Sequence, residues 1–265
     1  MKPSHEWDAG VYHRVSAPQR SWGLRVVERL ELRGRERVLD AGCGTGRVTR
    51  PLLERVEAAG GGLVAMDRSL DMSRAARTTL PAIVPVVNAD LLAMPFTRAF
   101  DVVFSTATLH WVLDQAALYR AIAAVLVPGG RLHAQCGGEG NVGRFRQRVE
   151  ALCAAPRYAA RFAGWQEPWR FLSTAEVERH LAAAGFESVR TWLEPEPTPF
   201  TERAASREFV EHVVIPAWLV RFEGEPGEKD AFLDELCDAS AASADGYGLD
   251  YVRLNIEATL GKGPR

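Results

Sequence analysis

Acidic residues next to alternating glycines make the region around residue 40 the part of this chain most able to do chemistry. The run Val38–Arg47 reads VLDAGCGTGR, so Asp40 is followed at alternate positions by Gly42, Gly44 and Gly46. Glycine lacks Cβ, so such a turn adopts unusual φ values at little cost and lets a ligand approach the backbone closely. The spacing is tighter than the G-x-G-x-x-G of pyrophosphate-binding turns. An acidic residue just before the turn also favours a ligand with positive charge.

A second carboxylate follows at a meaningful distance. The run LVAMD is a predicted strand that ends in Asp67, which lies 21 positions after Gly46 (67 minus 46). In doubly wound folds, an acidic residue about 20 positions beyond the glycine turn binds ribose hydroxyls. The alternative is an ordinary exposed carboxylate at a strand end. With the glycine turn upstream, the pattern predicts a nucleoside-like ligand that carries positive charge.

Short apolar runs alternate with helical patterns along most of the chain. One predicted strand ends at residues 38–39, and six more cover residues 63–67, 84–90, 100–105, 131–135, 188–193 and 250–259. Predicted helices cover residues 47–56, 70–80 and 115–126. This alternation is typical of a parallel sheet that is covered on both faces. We therefore predict an α/β fold with a doubly wound, mostly parallel seven-stranded sheet.

Composition excludes several classes of partner. The net charge is −2 and no basic block stands out, which argues against nucleic-acid binding. The N-terminal residues contain no apolar signal core, and no uninterrupted apolar run approaches the length of a membrane span. The cysteines Cys43, Cys136, Cys153 and Cys237 match no zinc or disulfide spacing. We expect a cytoplasmic protein, a monomer or homodimer, that takes a small-molecule substrate and uses no metal.

Five segments, in their order and spacing, resemble the class I S-adenosylmethionine-dependent methyltransferases. They are VLDAGCGTG (38–46), LVAMD (63–67), NADL (88–91), FDVVFS (100–105) and LVPGGRL (126–132). Two further segments are similar to the trans-aconitate and juvenile hormone acid methyltransferases, which methylate carboxylates of small molecules. These are YHRVSAPQR (12–20) and LHW (109–111). The segments of the wider family span about two-fifths of the chain.

The resemblance implies a Rossmann-like methyltransferase fold with an inserted helical cap, and S-adenosyl-L-methionine as the cofactor. It implies cofactor contacts by Asp40, Gly42, Gly44, Gly46, Asp67, Arg68, Met72, Asp90, Leu91 and Ser105. Met72 has helical spacing, which is as typical of a core residue. Cys43, inside the glycine turn, is interpreted as a small filler.

On the substrate side, the resemblance points to Gln19, Trp111 and Tyr12. Gln19 matches the family position that orients a substrate carboxylate, and Trp111 offers apolar surface with one N–H donor. His110 is a candidate general base, or alternatively a hydrogen-bonded histidine that shapes the pocket. Gln19, His110 and Trp111 are the predicted catalytic group.

Different regions of the chain are expected to bind the cofactor and to cover the substrate. We expect residues 1–36 to form an N-terminal arm and helix over the active site. The cofactor-binding core is predicted to comprise 37–140, 173–200 and 246–262, and the helical substrate cap 141–172 and 201–245. In and beside the cap, Arg144, Arg146 and Arg170 are candidate carboxylate clamps.

Two local patterns in the second half of the chain predict helices. The run STAE (173–176) is typical of a capping box, and the helices over 202–222 and 228–240 are amphipathic. Pro216 is expected to kink or end the first of these two helices.

The leading functional hypothesis is methyl transfer to the oxygen of a small carboxylic acid. A carboxylate is already anionic near neutral pH, so it needs no general base. A hydroxyl, amine or carbon acceptor of secondary metabolism would use His110 as the base. The alternative outside enzymes is a non-catalytic cofactor-binding scaffold.

Overall fold

The computed structural model describes residues 7–262, which contain one seven-stranded sheet. The strands are β1 Arg37–Ala41, β2 Gly62–Asp67, β3 Val86–Asn88, β4 Phe100–Thr106, β5 Leu126–Gly137, β6 Phe186–Pro195 and β7 Val252–Leu260. Their order across the sheet is β3-β2-β1-β4-β5-β7-β6. The pairs from β3 to β5 are parallel, whereas β7 pairs with β5 in the antiparallel direction. The predicted doubly wound, mostly parallel sheet is confirmed.

The strand order reverses next to β1, and this reversal positions the site. From β1 the chain moves outward through β2 and β3, and then returns to place β4 on the other side of β1. In open α/β sheets, ligands bind at the carboxyl ends of the strands where the order reverses. The ends of β1 and β4 are therefore the expected place for a ligand.

Helices cover both faces of this sheet. The α-helices are α1 Ala9–Val15, α2 Ala17–Arg29, α3 Thr49–Ala58, α4 Leu70–Thr79, α5 Gln115–Val125, α6 Gly143–Ala154, α7 Thr174–Ala183, α8 Arg203–Phe209, α9 Pro216–Leu219 and α10 Pro226–Ala241. Successive residues of a strand point to opposite faces. Accordingly, Leu39 belongs to one apolar core with residues of α5 and α7, and Val38 to another with residues of α2, α3 and α4.

Two compact units share the chain. A core unit comprises residues 17–139, 169–194 and 253–262, with the sheet and its helices. A helical unit comprises residues 7–16, 140–168 and 195–252. Residues 1–6 of the predicted N-terminal arm lie outside the described residues. The arm and the substrate cap stay predictions as functional regions.

The helical unit is built around an aromatic cluster. Tyr158, Phe222 and Phe232 are buried, and their ring centroids lie 5.0 to 6.0 Å apart. After α8 the chain makes a π-helical turn, Val210–Val214, and Pro216 begins α9. Proline has no N–H to continue the preceding helix, so the predicted break falls at this residue.

The start of β7 differs from the predicted strand over 250–259. Asp250 Oδ2 accepts the backbone N–H of Arg144 at 2.9 Å, and its Oδ1 accepts that of Phe145 at 3.4 Å. Its side chain thus satisfies the first N–H groups of α6, where Val142 offers no side-chain cap. The strand consequently begins two residues later, at Val252.

Elsewhere, the predicted capping box is present, since Ser173 Oγ accepts from Glu176 N while the Glu176 carboxylate accepts from Ser173 N. Within residues 7–262, no helix is long and apolar enough to cross a membrane.

Candidate active site

The glycine turn after β1 is fastened to the end of β2. The backbone N–H groups of Gly42 and Cys43 both donate to the Met66 carbonyl, at 2.8 and 2.9 Å. Gly42, Gly44 and Gly46 have φ values of +88°, +54° and +84°, which few other residues adopt.

The three glycines serve different purposes. A Cβ on Gly42 would lie 2.2 Å from Thr108 Oγ1, and one on Gly46 would lie 3.1 Å from the Leu80 side chain. Packing therefore excludes a Cβ at Gly42 and would leave one at Gly46 in tight contact with Leu80. A Cβ on Gly44 would meet no atom within 4 Å. Gly44 is thus the position where the backbone faces open space that a ligand can enter.

Asp67 links this turn to the end of β2. Its Oδ2 accepts the backbone N–H of Gly44 at 2.9 Å, and its Oδ1 accepts that of Ser69 at 2.9 Å. A carboxylate oxygen can accept more than one hydrogen bond, so this side chain is of a type that binds ribose hydroxyls.

Asp40 is a buried acid at the end of β1. It is 2% exposed, and Thr49 Oγ1 donates to its Oδ2 at 2.6 Å. Burial raises the pKa of the Asp40 carboxyl to about 7; the bond from Thr49 lowers this pKa and the charge of Asp67 raises it. The carboxyl group consequently changes charge near neutral pH. Burial likewise raises the pKa of the Cys43 thiol well above its usual value, so this cysteine stays neutral.

The other predicted cofactor residues line the ends of β2, β3 and β4. Asp90 Oδ1 accepts from Leu92 N at 2.9 Å and caps the 3₁₀ turn Leu91–Ala93. Arg68 lies 3.8 Å from Asp90, and both side chains are partly exposed. Met72 and Leu91 are buried and apolar.

Ser105 has a role within the sheet. Its hydroxyl is fully buried and donates to the Ala41 carbonyl at 2.6 Å, which joins β4 to β1. A contact between Ser105 and the cofactor stays a prediction.

A strained turn follows β4 and carries His110. Ala107 has a φ of +56°, and its N–H donates to the Gln135 carbonyl at 2.8 Å. Non-glycine residues in this region are uncommon and often occur at functional sites. The chain then enters the 3₁₀ turn Leu109–Trp111, which Gln115 holds by donating to the Leu109 carbonyl at 2.9 Å.

The environment of His110 fixes its chemical state. Its Nδ1 accepts the backbone N–H of Gly137 at 3.3 Å, so the proton of the neutral ring lies on Nε2. Burial lowers the pKa of the imidazole well below its usual value, and the positive charge of Arg253 lowers it further. His110 is therefore neutral near pH 7 and offers an N–H donor at Nε2.

Aromatic rings surround this histidine. The His110 ring centroid lies 5.3 Å from that of Trp111 and 5.5 Å from that of Phe171. Trp169 lies 5.9 Å from Trp111 and 5.2 Å from Phe171, centroid to centroid. The backbone of Arg170 donates to the His110 carbonyl at 2.8 Å, which ties this segment to the turn. These rings surround the N–H donor of His110 with mostly apolar surface.

The remaining substrate candidates fall in different parts of the molecule. Gln19 lies in the first turn of α2, and its Oε1 is buried with no hydrogen-bond partner among residues 7–262. Tyr12 belongs to the helical unit and packs edge-on against Trp7, with centroids 5.3 Å apart. The candidate clamps are held in ion pairs: Arg144 with Asp245, Arg146 with Glu167, and Arg170 with Glu176.

The chain is similar to known methyltransferases. A family model described as a methyltransferase domain matches residues 39–134. Trans-aconitate 2-methyltransferase of Acidovorax ebreus is 34% identical over 131 residues, 49% of this chain and 50% of that protein. The chain therefore spans about half the length of the first curated relatives it matches. The same enzyme of Methylobacterium nodulans is 31% identical over 183 residues, 68% of this chain and 69% of that one.

The chain belongs to the class I S-adenosylmethionine-dependent methyltransferases. Among solved structures, the YcgJ protein of Bacillus subtilis superposes with a TM-score of 0.61 at 16% identity, covering 91% of this chain and 98% of that one. At this identity the likeness concerns the fold. The resemblance predicted from the sequence is confirmed.

S-adenosylmethionine, the cofactor of this family, suits the residues present. The open space at Gly44 admits a ligand against the backbone, and the Asp67 carboxylate lies beside it. Buried Leu91 and Met72 supply apolar surface near the same strand ends. An ionised Asp40 complements the positive charge of the methionine part.

Several residues of this site carried no clear sequence signal. Thr49 and Thr108 are short polar residues of ordinary type, and their roles depend on contacts with Asp40 and Gly42. Trp169 and Phe171 lie about 60 residues beyond Trp111 in the chain. Arg253 could have been noticed, because it alternates with Asn255 as a polar residue in an apolar strand.

Proposed function

We propose that this protein transfers a methyl group from S-adenosylmethionine to a carboxylate oxygen of a small organic acid. The proposal is supported by the state of His110, whose Nδ1 lone pair is taken by the Gly137 N–H. A neutral ring of this tautomer donates from Nε2 and is poorly placed to remove a proton there. An acceptor that is already anionic needs no such removal. The relatives of Acidovorax ebreus and Methylobacterium nodulans are named trans-aconitate 2-methyltransferase, and trans-aconitate is an acid of this class.

In this proposal, the protein residues hold and shield the reactants. Asp67 binds the ribose hydroxyls, Gly44 passes close to the cofactor, and Asp40 faces its methionine part. Bound there, the cofactor supplies a methyl group on a positively charged sulfur, and transfer to a carboxylate oxygen leaves an ester and a neutral thioether. Trp111, Trp169 and Phe171 exclude water, and His110 Nε2–H donates to an acceptor oxygen.

The site and the composition also support a small-molecule substrate and a reducing compartment. The net charge is balanced, and all four cysteines are free thiols, three of them buried. Free thiols are usual in cytosolic proteins, so we propose cytoplasmic localisation. The state as monomer or homodimer stays a prediction.

A labelled-methyl assay tests the function. The purified protein is incubated with methyl-labelled S-adenosylmethionine and trans-aconitate, and then with a panel of mono-, di- and tricarboxylic acids, phenols, alcohols and amines. Treatment of the product with alkali distinguishes the classes, because a methyl ester releases volatile methanol. We expect a labelled product that forms only when a carboxylic acid is the acceptor and that loses its label in alkali.

Each other outcome of this assay contradicts the proposal in a definite way. Label that resists alkali, formed with a phenol, alcohol or amine, moves the assignment to the alternative in which His110 is the base. Cofactor binding without transfer to any compound of the panel favours the non-catalytic scaffold.

A further inference from the structure

A buried arginine lies at the edge of the sheet where the acceptor is expected. Arg253 is the second residue of β7, which runs antiparallel to β5, and it pairs in register with Gly137 at the end of β5. Because the two strands run in opposite directions, the start of β7 lies at the carboxyl edge of β5. This is the edge where the glycine turn ends β1 and the His110 turn ends β4.

Backbone geometry brings Arg253 close to His110. The peptide N–H that donates to His110 Nδ1 is that of Gly137, the register partner of Arg253. The charge of Arg253 also acts on the His110 imidazole and on the Cys136 thiol. A permanent cation therefore lies near the His110 ring.

The guanidinium of Arg253 lies over an indole ring. Arg253 is 2% exposed, and its guanidinium carbon lies 4.6 Å from the ring centroid of Trp22. Stacking engages the flat face of a guanidinium, whereas its N–H groups point outward in the plane and suit a carboxylate. Trp22 thus supports one side of this cation within the core unit.

The same helix supplies a second polar group. Gln19 precedes Trp22 by three residues on α2, so the two side chains share a face of the helix. Gln19 Oε1 is buried with no hydrogen-bond partner among residues 7–262. A primary amide can rotate by 180° without changing shape, and so presents an N–H to a carboxylate or an oxygen to a hydroxyl.

We propose that Arg253 binds the carboxylate of the methyl acceptor and, with Gln19, makes the pocket selective for acids. One carboxylate oxygen lies against the guanidinium and the Gln19 amide, while the other oxygen points to the methyl group. The inference rests on the proposed function, because it requires an acid as the acceptor. It adds a specificity residue from the last strand of the sheet.

The test compares two arginines that stack equally. Arg190 on β6 lies over Trp192 at 4.6 Å, the same distance as Arg253 over Trp22, but it is mostly exposed. R253M, R253K and R190M are assayed with trans-aconitate and with every acid methylated by the wild type. A rise in melting temperature with S-adenosylhomocysteine shows that each variant is folded and binds the demethylated cofactor.

We expect R253M to raise the KM for the acid about 10- to 100-fold, as loss of a charged hydrogen bond does, with kcat changed less than about threefold. R253K is expected to recover part of the loss because it restores the charge but not the planar fork. R190M is expected to behave as the wild type. Equal KM values for R253M and R190M overturn the inference and leave the proposed function intact.

The test gives a result even if R253M does not bind S-adenosylhomocysteine or if no acid is methylated. If R253M loses its melting shift with S-adenosylhomocysteine, the wild type is assayed for competitive inhibition by the acid substrate's primary amide. The amide is expected to bind at least about tenfold more weakly than the acid, and equal binding overturns the inference. If no acid is methylated by the wild type, the inference and the carboxylate assignment fall together.

Discussion

The Gly44 backbone N–H donates to Asp67 Oδ2 at 2.9 Å, which joins the turn after β1 to the end of β2. Ser69 N donates to the other carboxylate oxygen at 2.9 Å, so the backbone fixes the plane of this side chain from two sides. A carboxylate that is already oriented loses little freedom when a ligand binds, which favours tight binding.

Replacing Asp67 with Ala is expected to weaken cofactor binding about 10- to 150-fold, because the ribose hydroxyls lose a charged acceptor worth roughly 1.5–3 kcal/mol. Calorimetry with S-adenosylhomocysteine measures the change. Asp71→Ala is the control, since Asp71 is an exposed acid on the next helix and is paired with Arg74. Equal affinities of the two variants would remove Asp67 from the cofactor site.

Replacing Gly44 with Ala is expected to abolish most cofactor binding, because the new methyl group enters the space that the ligand uses. Gly246 provides a matched control: its φ is +55° against +54° for Gly44, and a Cβ on either glycine meets no atom within 4 Å. Both variants therefore carry the same backbone strain. Native affinity in Gly44→Ala, or an equal loss in Gly246→Ala, contradicts the placement of the ligand.

Cofactor affinity is expected to rise with pH through neutrality. The pKa of Asp40 is raised to about 7 by burial, so its carboxyl is mostly neutral at pH 6 and mostly charged at pH 8. If only the charged form attracts the cationic methionine part, affinity increases about tenfold between these values. Asp67 adds a nearby negative charge, and Cys43 stays neutral over this range. Calorimetry of Asp40→Asn, which lacks this titration, should give a flat profile; a slope that persists assigns the effect to another group.

His110→Ala is expected to lower turnover of the acid less than about 100-fold. Loss of a general base typically lowers turnover more, by about 10²- to 10⁴-fold. Since its pKa is held well below the usual value, the pH profile should show no histidine ionisation near 6.5. Loss above about 1000-fold, with cofactor binding intact, makes His110 the base and moves the acceptor to another class.

Gln19→Ala is expected to lower kcat/KM through poorer positioning of the acid. Its exposed neighbour provides the control, Arg20→Ala, which should leave the kinetics unchanged. A similar effect of both substitutions would indicate a disturbance of α2 as a whole.

Local sequence patterns predicted the strand ends and the glycine turn that carry the proposed cofactor residues. Asp40 and Asp67 lie at the ends of β1 and β2, and Gly44 lies in the turn after β1. Parallel strands bring such ends to one edge of a sheet. The predicted third strand over 84–90 was too long, since Pro85 has no N–H for the ladder and pairing begins at Val86.

The surroundings of His110, on the proposed acceptor side of the site, depend on contacts between residues that are distant in the chain. His110 takes its hydrogen bond from Gly137, and Trp111 packs against Trp169. The tautomer of His110 and the position of Arg253 follow only once β5 and β7 are aligned. No local pattern specifies that alignment.

The late position of β7 in the chain has a consequence for folding. Its contacts with β5 close very long loops, as the 120-residue separation of Gln135 and Asn255 illustrates. Such pairings form slowly, because the entropy of loop closure is lost before the contacts are gained. Until β7 is inserted, β5 and β6 each present an unpaired edge that can join strands of other chains. We therefore expect insertion of β7 to limit the folding rate, and aggregation to compete at that step.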